Sequence, residues 1–274
     1  MPTLTHNSSP VLPYTHVHHD PDAPILETRR LDVRYNGRFA LEAVTFHLHA
    51  GERVAVVGPN GAGKSTLFKV IAGVLPPSSG EVKISGYGPR GHICIAYVPQ
   101  RAQVDWRFPA SVEDVVMMGR IGRVGLFRWP RRGDWRAVRL ALEAVDMLPL
   151  ASRQIGELSG GQQQRMFLAR ALAQEAELVL MDEPLNGLDI PSQEAILGVL
   201  DSLRQRKITL MVATHDLGQA ARSFDRVMLL NRRLIHFGAP TEVLTTENLL
   251  QAYGGNLRLD QTGVMVVDEC CPPE

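Results

Sequence analysis

The chain has 274 residues, 45% hydrophobic and 21% charged, which is enough for one large domain or two small ones with a buried core. Its 29 Lys and Arg balance 29 Asp and Glu, so its net charge gives no support to a nucleic-acid partner. Cys94, Cys270 and Cys271 form no disulfide framework, which favours a reducing compartment. No apolar run approaches the ~20 residues of a membrane-spanning helix, and we expect a cytoplasmic chain.

The first 24 residues are rich in Pro, His, Thr and Ser and lack the apolar core of a secretory signal, so they are predicted to form a disordered tail. Strands are predicted at 25–35, 39–49 and 53–57, where alternation indicates a half-buried antiparallel sheet that 81–86 extends. Further segments are a helix after Lys64, strands at 94–100, 178–182, 208–213 and 226–231, and helices near 191–206 and from about 216. Apolar strands alternating with helices predict a parallel sheet buried on both faces.

Residues 58–66, "GPNGAGKST", follow a predicted strand and open a predicted helix. They fit the pattern G-x-x-x-x-G-K-[ST] in the context that supports it. Glycines let backbone N–H groups converge on phosphates, Lys64 would meet the β- and γ-phosphates, and the Ser65 hydroxyl would bind Mg²⁺. A glycine-rich turn without nucleotide is the alternative. The predicted nucleoside-triphosphate loop comprises Gly58, Pro59, Asn60, Gly61, Ala62, Gly63, Lys64, Ser65 and Thr66.

The stretch "LVLMDEP" at 178–184 predicts a buried strand with an acidic pair at its carboxyl end. Ligands bind at that end of the strands in open α/β sheets. Asp182 is therefore a candidate Mg²⁺ ligand, directly or through water. Glu183 is a candidate base for the attacking water. Without the phosphate loop, such a pair would more simply be a solvated loop.

The stretch "LSGGQQQR" at 158–165 places two glycines at the start of a predicted helix. Ser159 followed by Gln162 is a capping-box pattern, which indicates a helix start. A helix N-terminus with bare N–H groups is also an anion site. The stretch alone does not choose between these interpretations.

Taken in order, 58–66, 158–162 and 178–184 resemble the motifs of ATPase subunits of ABC transporters, over roughly residues 25–250. The resemblance implies an α/β P-loop NTPase with a RecA-like core, an antiparallel β subdomain and a helical signature subdomain at about 101–174. Residues 251–274 would form a C-terminal tail. The resemblance also implies a head-to-tail dimer of two copies of the chain. In that dimer, the γ-phosphate of ATP held by one copy would be bound by residues of the other: Ser159, Gly160, Gly161 and Gln162.

Other positions match the family one at a time. Tyr35 resembles the aromatic residue that stacks on adenine, with a core tyrosine as the alternative. Gln100 resembles the glutamine that contacts Mg²⁺ and the attacking water, and His215 the histidine that contacts the γ-phosphate. Asp189 in "NGLD" matches the aspartate of the dimer-interface loop, although Asn186 replaces the commoner small residue.

The resemblance leaves three kinds of ATPase to compare. A chromosome-maintenance or repair ATPase would need a long coiled coil between Lys64 and Ser159, where no sustained heptads occur. A ribosome-associated ABC protein would need two cassettes in one chain, and one phosphate loop is present. A transporter subunit is therefore favoured, powered by Mg-ATP at the cytoplasmic face of the membrane and acting on a permease that is a separate chain.

Residues 101–138 resemble the ATPases of the manganese, zinc and iron uptake group, which is the sole basis for a substrate and for import. The resemblance implies an extracytoplasmic metal-binding protein as an indirect partner; a different small substrate is the alternative. Within 120–139 there are seven arginines, at 120, 123, 128, 131, 132, 136 and 139, with Phe127, Trp129 and Trp135 among them. They are interpreted as a solvated face, an RNA patch, or a contact with the permease's cytoplasmic helix near anionic lipid headgroups.

The N-terminal stretch "YTHVHHDP" has histidines at 16, 18 and 19 beside Asp20, with His6 upstream. Imidazole and carboxylate groups suit Zn²⁺, so a metal-sensing arm is one interpretation. A disordered tail whose histidines have no metal role is the other.

Overall fold

The computed structural model describes residues 23–88, 95–100, 104–125 and 128–254, and the backbone alone of 257–259 and 265–267. Two compact units are present. The strand-rich unit lies within His19–Ala102, Glu177–Asn186 and Leu203–Glu274. The helical unit lies within Gln103–Ala176 and Gly187–Ser202.

The regular elements follow in chain order. The strands are β1 (Leu26–Tyr35), β2 (Arg38–Leu48), β3 (Arg53–Val57), β4 (Ser79–Ile84), β5 (Ile95–Val98), β6 (Leu178–Asp182), β7 (Thr209–Ala213), β8 (Arg226–Asn231), β9 (Arg233–Gly238), β10 (Leu257–Leu259) and β11 (Met265–Val267). The helices are α1 (Lys64–Ile71), α2 (Val112–Met118), α3 (Ile121–Val124), α4 (Arg132–Ala144), α5 (Gly160–Ala173), α6 (Ile190–Gln205), α7 (Leu217–Ser223), α8 (Pro240–Val243) and α9 (Thr246–Tyr253).

In the strand-rich unit, β1 lies between β2 and β4 in an antiparallel sheet. Leu26 pairs with Leu48 on one side and with Ile84 on the other, and all three side chains are fully buried. An Asn36-Gly37 turn, with φ of 48° and 79°, joins β1 to β2 as two-residue hairpins favour. The alternation in the sequence therefore predicted this sheet correctly.

A second sheet in the strand-rich unit has the order β5-β6-β7-β3-β8-β9 among the described residues. Its strands are parallel except β9, which is antiparallel to β8. Every residue of β3, β6 and β7 is buried, as expected of strands covered on both faces. Grouping 53–57 with the antiparallel strands was therefore wrong, because β3 lies inside the parallel sheet. The edge strand β9 was not predicted.

The helical unit is built mainly from α2, α4 and α5, which contact one another. Val116, Leu142 and Leu168 are among its buried side chains. Residues 132–136 form the start of α4. The Asp134 carboxylate accepts a hydrogen bond from the Arg131 backbone N–H at 2.9 Å, which stabilises that helix start.

The expected α/β class is confirmed, with a largely parallel core sheet, an antiparallel sheet and a helical unit. Across the described ranges, no helix is both long enough and apolar enough to span a bilayer. The histidine-containing tail and the three cysteines lie outside the described residues.

Candidate active site

The predicted site residues of the strand-rich unit follow the carboxyl ends of neighbouring parallel strands. The phosphate loop follows β3, Gln100 follows β5, and Asp182 ends β6 opposite Ala213 of β7. His215 lies two residues beyond that alanine. Because parallel strands end at one edge of a sheet, that edge is where a ligand of this unit would bind.

Close backbone contacts explain two glycines of the phosphate loop. A Cβ on Gly58 would lie 2.0 Å from the Leu230 carbonyl oxygen, so no side chain fits there. Gly63 has φ of 97°, and a Cβ would lie 2.5 Å from the Ala40 carbonyl oxygen. A residue outside the loop also holds it in place, because the Arg232 backbone N–H donates a hydrogen bond to the Ala62 carbonyl at 2.8 Å. The loop therefore has a defined shape before any ligand binds.

Lys64 begins α1 with its ammonium group turned back to the loop. Its Nζ donates to the carbonyls of Gly58, at 2.6 Å, and Pro59, at 3.2 Å. The residue is 6% exposed, and burial lowers the pKa of Lys64 although the carboxylates of Glu183 and Asp182 oppose that shift. A phosphate would give this buried cation a stronger partner than two carbonyl oxygens.

Asp182 is a buried carboxyl group without a hydrogen-bond partner in the described part of the chain, for either of its oxygens. The hydroxyls of Ser65 and Tyr97 approach it without hydrogen-bond geometry. Burial raises the pKa of Asp182; Ser65 opposes that shift and Glu183 adds to it. An orphaned buried carboxylate beside a hydroxyl supplies the hard oxygen donors that a magnesium ion prefers.

Glu183 is held in a sparsely populated backbone conformation, with φ of 51°. Its backbone N–H donates to the Ala213 carbonyl at 3.1 Å. Its Oε2 accepts hydrogen bonds from Gln100 Nε2, at 2.9 Å, and from Asn186 Nδ2, at 3.2 Å. The carboxylate is therefore aimed by two amide groups, and it remains half-buried rather than enclosed.

Tyr35 and His215 both have exposed side chains. Tyr35 ends β1 beside the hairpin turn and is 49% exposed, which differs from the core position of the alternative interpretation. His215 makes no side-chain hydrogen bond within the described residues, and its imidazole is exposed at the sheet edge. Both side chains are available to a ligand.

The C-terminal helix α9 supports the phosphate loop from the side of β8. Asn231 Nδ2 donates to the Ala252 carbonyl at 2.8 Å. The Tyr253 hydroxyl is buried near the Gly58 backbone N–H, without a hydrogen bond of good geometry. Burial raises the pKa of Tyr253 to about 12, and the Gly58 N–H opposes that shift.

In the helical unit, the 158–165 stretch forms the start of α5, and Ser159 is its N-cap. The Ser159 Oγ accepts from the Gln162 N–H at 3.4 Å, and Gln162 Oε1 accepts from the Ser159 N–H at 2.9 Å. The capping interpretation is thus confirmed. It leaves the anion interpretation open, because the first turn of α5 carries no acidic side chain.

Packing within the helical unit explains why residue 161 is a glycine. A Cβ there would lie 2.5 Å from Ser192 Oγ, so the glycine admits the first turn of α6. Asp189 lies just before α6, is exposed, and its carbonyl accepts from the Gln193 N–H at 3.0 Å. Gly161 therefore packs against the start of α6, directly after the Asp189 loop.

Three supporting residues were missed by sequence reasoning. The sequence shows Asn186 only as a replacement of the commoner small residue, although its spacing of three from Glu183 allows a turn contact. Tyr97 beside Asp182 and Tyr253 beneath Gly58 carry no local signal, since both depend on long-range packing. No group of three or more His, Cys, Asp or Glu placed to hold a metal ion occurs in the described ranges.

Comparison with known sequences identifies close relatives. The profile of the ABC transporter family matches residues 41–186. The chain is 45% identical over 233 residues to the manganese transport system ATP-binding protein MntB of Bacillus subtilis, covering 85% of this chain and 93% of that protein. It is 47% identical over 228 residues to the zinc transport system ATP-binding protein TroB of Treponema pallidum, covering 83% and 86%.

Solved structures share the fold. A metal-chelate type ABC transporter in an inward-facing conformation matches with a TM-score of 0.74 and 31% identity, covering 88% of this chain and 95% of that one. An ATP-binding cassette in a dimeric, post-hydrolysis state bound to ADP and Pi matches with a TM-score of 0.68 and 26% identity, covering 78% and 98%.

Proposed function

Since this chain belongs to the ABC transporter family, as the ATP-hydrolysing subunit of a transporter, we propose that it powers uptake of a transition metal ion (manganese, zinc or iron) through a separate permease. Relatives named for manganese and zinc transport support the metal class. The proposal that the chain hydrolyses ATP at this site rests on one observation. The phosphate loop, the buried and unpartnered Asp182 carboxylate, and the Glu183 carboxylate held by Gln100 all lie at one edge of the sheet.

The phosphates of ATP would replace the loop carbonyls as partners of Lys64. Backbone N–H groups from Gly61 to Thr66 would complete the cradle, and Tyr35 would stack on the adenine. The Ser65 hydroxyl and the Asp182 carboxylate would hold Mg²⁺, with Gln100 nearby. The ion would offset phosphate charge and satisfy a carboxylate that has no protein partner.

Hydrolysis would depend on Glu183 as the base for the attacking water. Gln100 and Asn186 hold its Oε2, which leaves Oε1 to accept a proton. His215 would contact the γ-phosphate from the end of β7. The structure supports these roles by giving each group a position at the same edge of the sheet.

A second copy of the chain would complete each site. Ser159, Gly160, Gly161 and Gln162 would face the γ-phosphate held by the other copy, with Asp189 at the same interface. A relative of the same fold in a dimeric state bound to ADP and Pi supports this arrangement. The neutral first turn of α5 supports it further, because a carboxylate there would repel phosphate.

The proposed place of the chain is the cytoplasmic face of the membrane, attached to the permease. An extracytoplasmic protein would deliver the metal ion to that permease. ATP-driven closure of the dimer would move the permease, and hydrolysis would reopen the dimer. An ABC importer for another small substrate is the second candidate, because the ATP site does not contact the substrate.

Glu183→Gln tests the proposal, because it preserves shape and removes the base. Cells lacking the chain would receive the wild type, Glu183→Gln, or the exposed control Glu81→Gln, and uptake of labelled Mn²⁺, Zn²⁺ and iron would be measured. We expect one metal to enter with wild type and control only. The purified Glu183→Gln chain should bind ATP but hydrolyse it about 100-fold more slowly or worse.

If Glu183→Gln hydrolysed ATP as fast as the wild type, Glu183 would be rejected as the base. Uptake of none of the three metals, despite ATP hydrolysis by the wild type, would reject the metal class and favour the second candidate.

A further inference from the structure

A strongly cationic stretch of the helical unit lies outside the catalytic residues described above. Residues 120–139 contain seven arginines and one aspartate, although the whole chain has a net charge of zero. Acidic side chains elsewhere must balance this excess, so the positive charge is concentrated locally. A local excess attracts an anionic partner even when the whole protein is neutral.

Two of these arginines form a buried ion cluster. Arg120 pairs with Asp134 at 3.2 Å and with Glu175 at 3.1 Å, and Arg123 pairs with Glu175 at 2.7 Å. Arg120 also donates to the Ala173 carbonyl at 2.9 Å. Removing one member of such a cluster would leave a buried charge uncompensated. The cluster therefore fixes α3 and the start of α4 against the end of α5.

The other arginines face solvent. Arg139 pairs with Glu143 along α4 at 3.1 Å. The four that remain are exposed and have no carboxylate partner within the described ranges, and Trp129 among them is 91% exposed. We call these five side chains the Arg–Trp patch: Arg128, Trp129, Arg131, Arg132 and Arg136.

We propose that the Arg–Trp patch binds anionic phospholipid headgroups of the membrane that holds the permease. The proposal rests on the proposed function only in placing the chain beside a membrane. Arginine is attracted to anionic headgroups, and tryptophan favours the boundary between headgroups and acyl chains. The buried cluster holds the start of α4, which carries Arg132 and Arg136, in a fixed position.

The position of the charges favours a lipid surface over a single partner helix. An apolar groove of about 510 Å³ beside the patch is lined by Met117, Ile121, Val124 and Pro130, with Arg128 and Trp129 at its wall. Arg131, Arg132 and Arg136 are not part of that lining. A helix seated in the groove would leave these three charges unused, whereas an extended anionic surface would meet all four.

Vesicle binding by the full-length chain tests the proposal. Co-sedimentation would compare vesicles of phosphatidylcholine alone with vesicles that also contain phosphatidylglycerol, at low and high salt. Three chains would be compared: wild type, a patch variant with Arg128, Arg131, Arg132 and Arg136 changed to Gln, and a control variant with exposed Arg30, Arg204, Lys207 and Arg222 changed to Gln. ATP hydrolysis and thermal unfolding of each would verify folding.

We expect the wild type to bind only the vesicles that contain phosphatidylglycerol, and high salt to weaken that binding. The patch variant should bind roughly tenfold more weakly or worse, and the control variant within about twofold of wild type. Emission from Trp129 should shift to the blue on binding. That shift should vanish in Trp129→Phe and persist in Trp135→Phe.

Equal binding to both vesicles, or equal losses in patch and control variants, would overturn the proposal. The proposal would also be overturned if the patch variant bound the vesicles as tightly as the wild type does. Absence of vesicle binding, together with lost metal uptake by the patch variant, would assign the surface to the permease instead. Metal uptake by the wild type is scored separately, so failure here is distinguishable from failure of the importer function.

Discussion

Two helix N-termini of this chain are both expected to face phosphate, and they are built differently. At α1, Gly63 is the cap in a left-handed conformation, and no side chain bonds to the exposed N–H groups. At α5, Ser159 and Gln162 cap each other. The first terminus is left open for a ligand, whereas the second is already satisfied by its own side chains.

A third terminus shows what a structural cap looks like. At α2, Ser111 accepts a hydrogen bond from the Asp114 N–H at 3.2 Å, and the Asp114 carboxylate accepts from the Ser111 N–H at 2.9 Å. The same box at α5 uses neutral Gln162 where α2 uses a carboxylate. A neutral cap stabilises the helix without repelling an incoming anion. The two boxes therefore differ at their N3 residue in the way that the proposed phosphate partner of α5 requires.

The largest expected effect comes from the open terminus. Lys64→Ala removes the buried cation, and ATP affinity should fall about 100-fold or more because two charge-assisted contacts to phosphate are lost. Equilibrium binding of a fluorescent ATP analogue measures this, with Lys83→Ala as the control. Unchanged affinity would show that backbone amides alone hold the nucleotide.

The second effect separates the two termini. Ser159→Arg places a long cation where the partner's phosphate would sit. ATP-dependent dimerisation and hydrolysis should be lost, while the monomer binds ATP within about twofold of wild type, since the phosphate loop is untouched. Size-exclusion chromatography with ATP and a binding titration measure both. Full hydrolysis by this variant would contradict a composite site.

A smaller effect tests the neutral cap directly. Gln162→Glu should stabilise α5, because a carboxylate interacts favourably with the positive end of the helix dipole, but it should slow hydrolysis by roughly 2- to 30-fold, because the same carboxylate repels the partner's phosphate. The matched variant Asp114→Asn at α2 should lower stability slightly and leave hydrolysis unchanged. If both variants hydrolyse ATP as fast as the wild type, the absence of charge at Gln162 does not contribute to hydrolysis.

The smallest effect concerns stability and pH. The folded-state pKa of Asp182 is raised from its ordinary value of 3.8, so the native state loses relative stability as pH rises from that value through the folded pKa. Asp182→Asn removes this loss and should raise the midpoint of thermal unfolding by roughly 2–4 °C at neutral pH. The gain should shrink at acidic pH, where both states are protonated.

Thermal scans of the nucleotide-free chain at several pH values measure this, with Asp201→Asn as the control. A gain that is the same at every pH would show that the charge of Asp182 is not its origin.

Local patterns predicted most elements of the fold but little of the support around the site. Alternation identified β1 and β2, and apolar runs identified β6 and β7, because each strand's pattern reflects the faces that it buries. Residues 53–57 were misplaced because they follow β1 and β2 in the chain, although their run of four apolar residues does not alternate and every residue of β3 is buried. The contact of Gln100 with Glu183 depends on β5 pairing with β6, which no local pattern encodes.

Charge patterns were equally incomplete. Seven arginines in one stretch suggested a single surface, yet Arg120 is buried against Asp134 and Glu175. Its partners lie 14 and 55 positions away in the sequence, so their meeting is a consequence of α4 packing on α5. Sequence alone could not separate the internal arginines from the exposed ones.

The placement of α9 limits how the chain can be shortened or fused. The Asn231 side chain donates a hydrogen bond to the Ala252 carbonyl, and the Tyr253 hydroxyl is buried near the Gly58 backbone N–H. A chain trimmed before Thr246 would lose both supports of the phosphate loop, although it would keep every motif that binds ATP. An expression version meant to retain activity should therefore extend at least through Gly254, and a C-terminal fusion partner should be joined beyond that glycine.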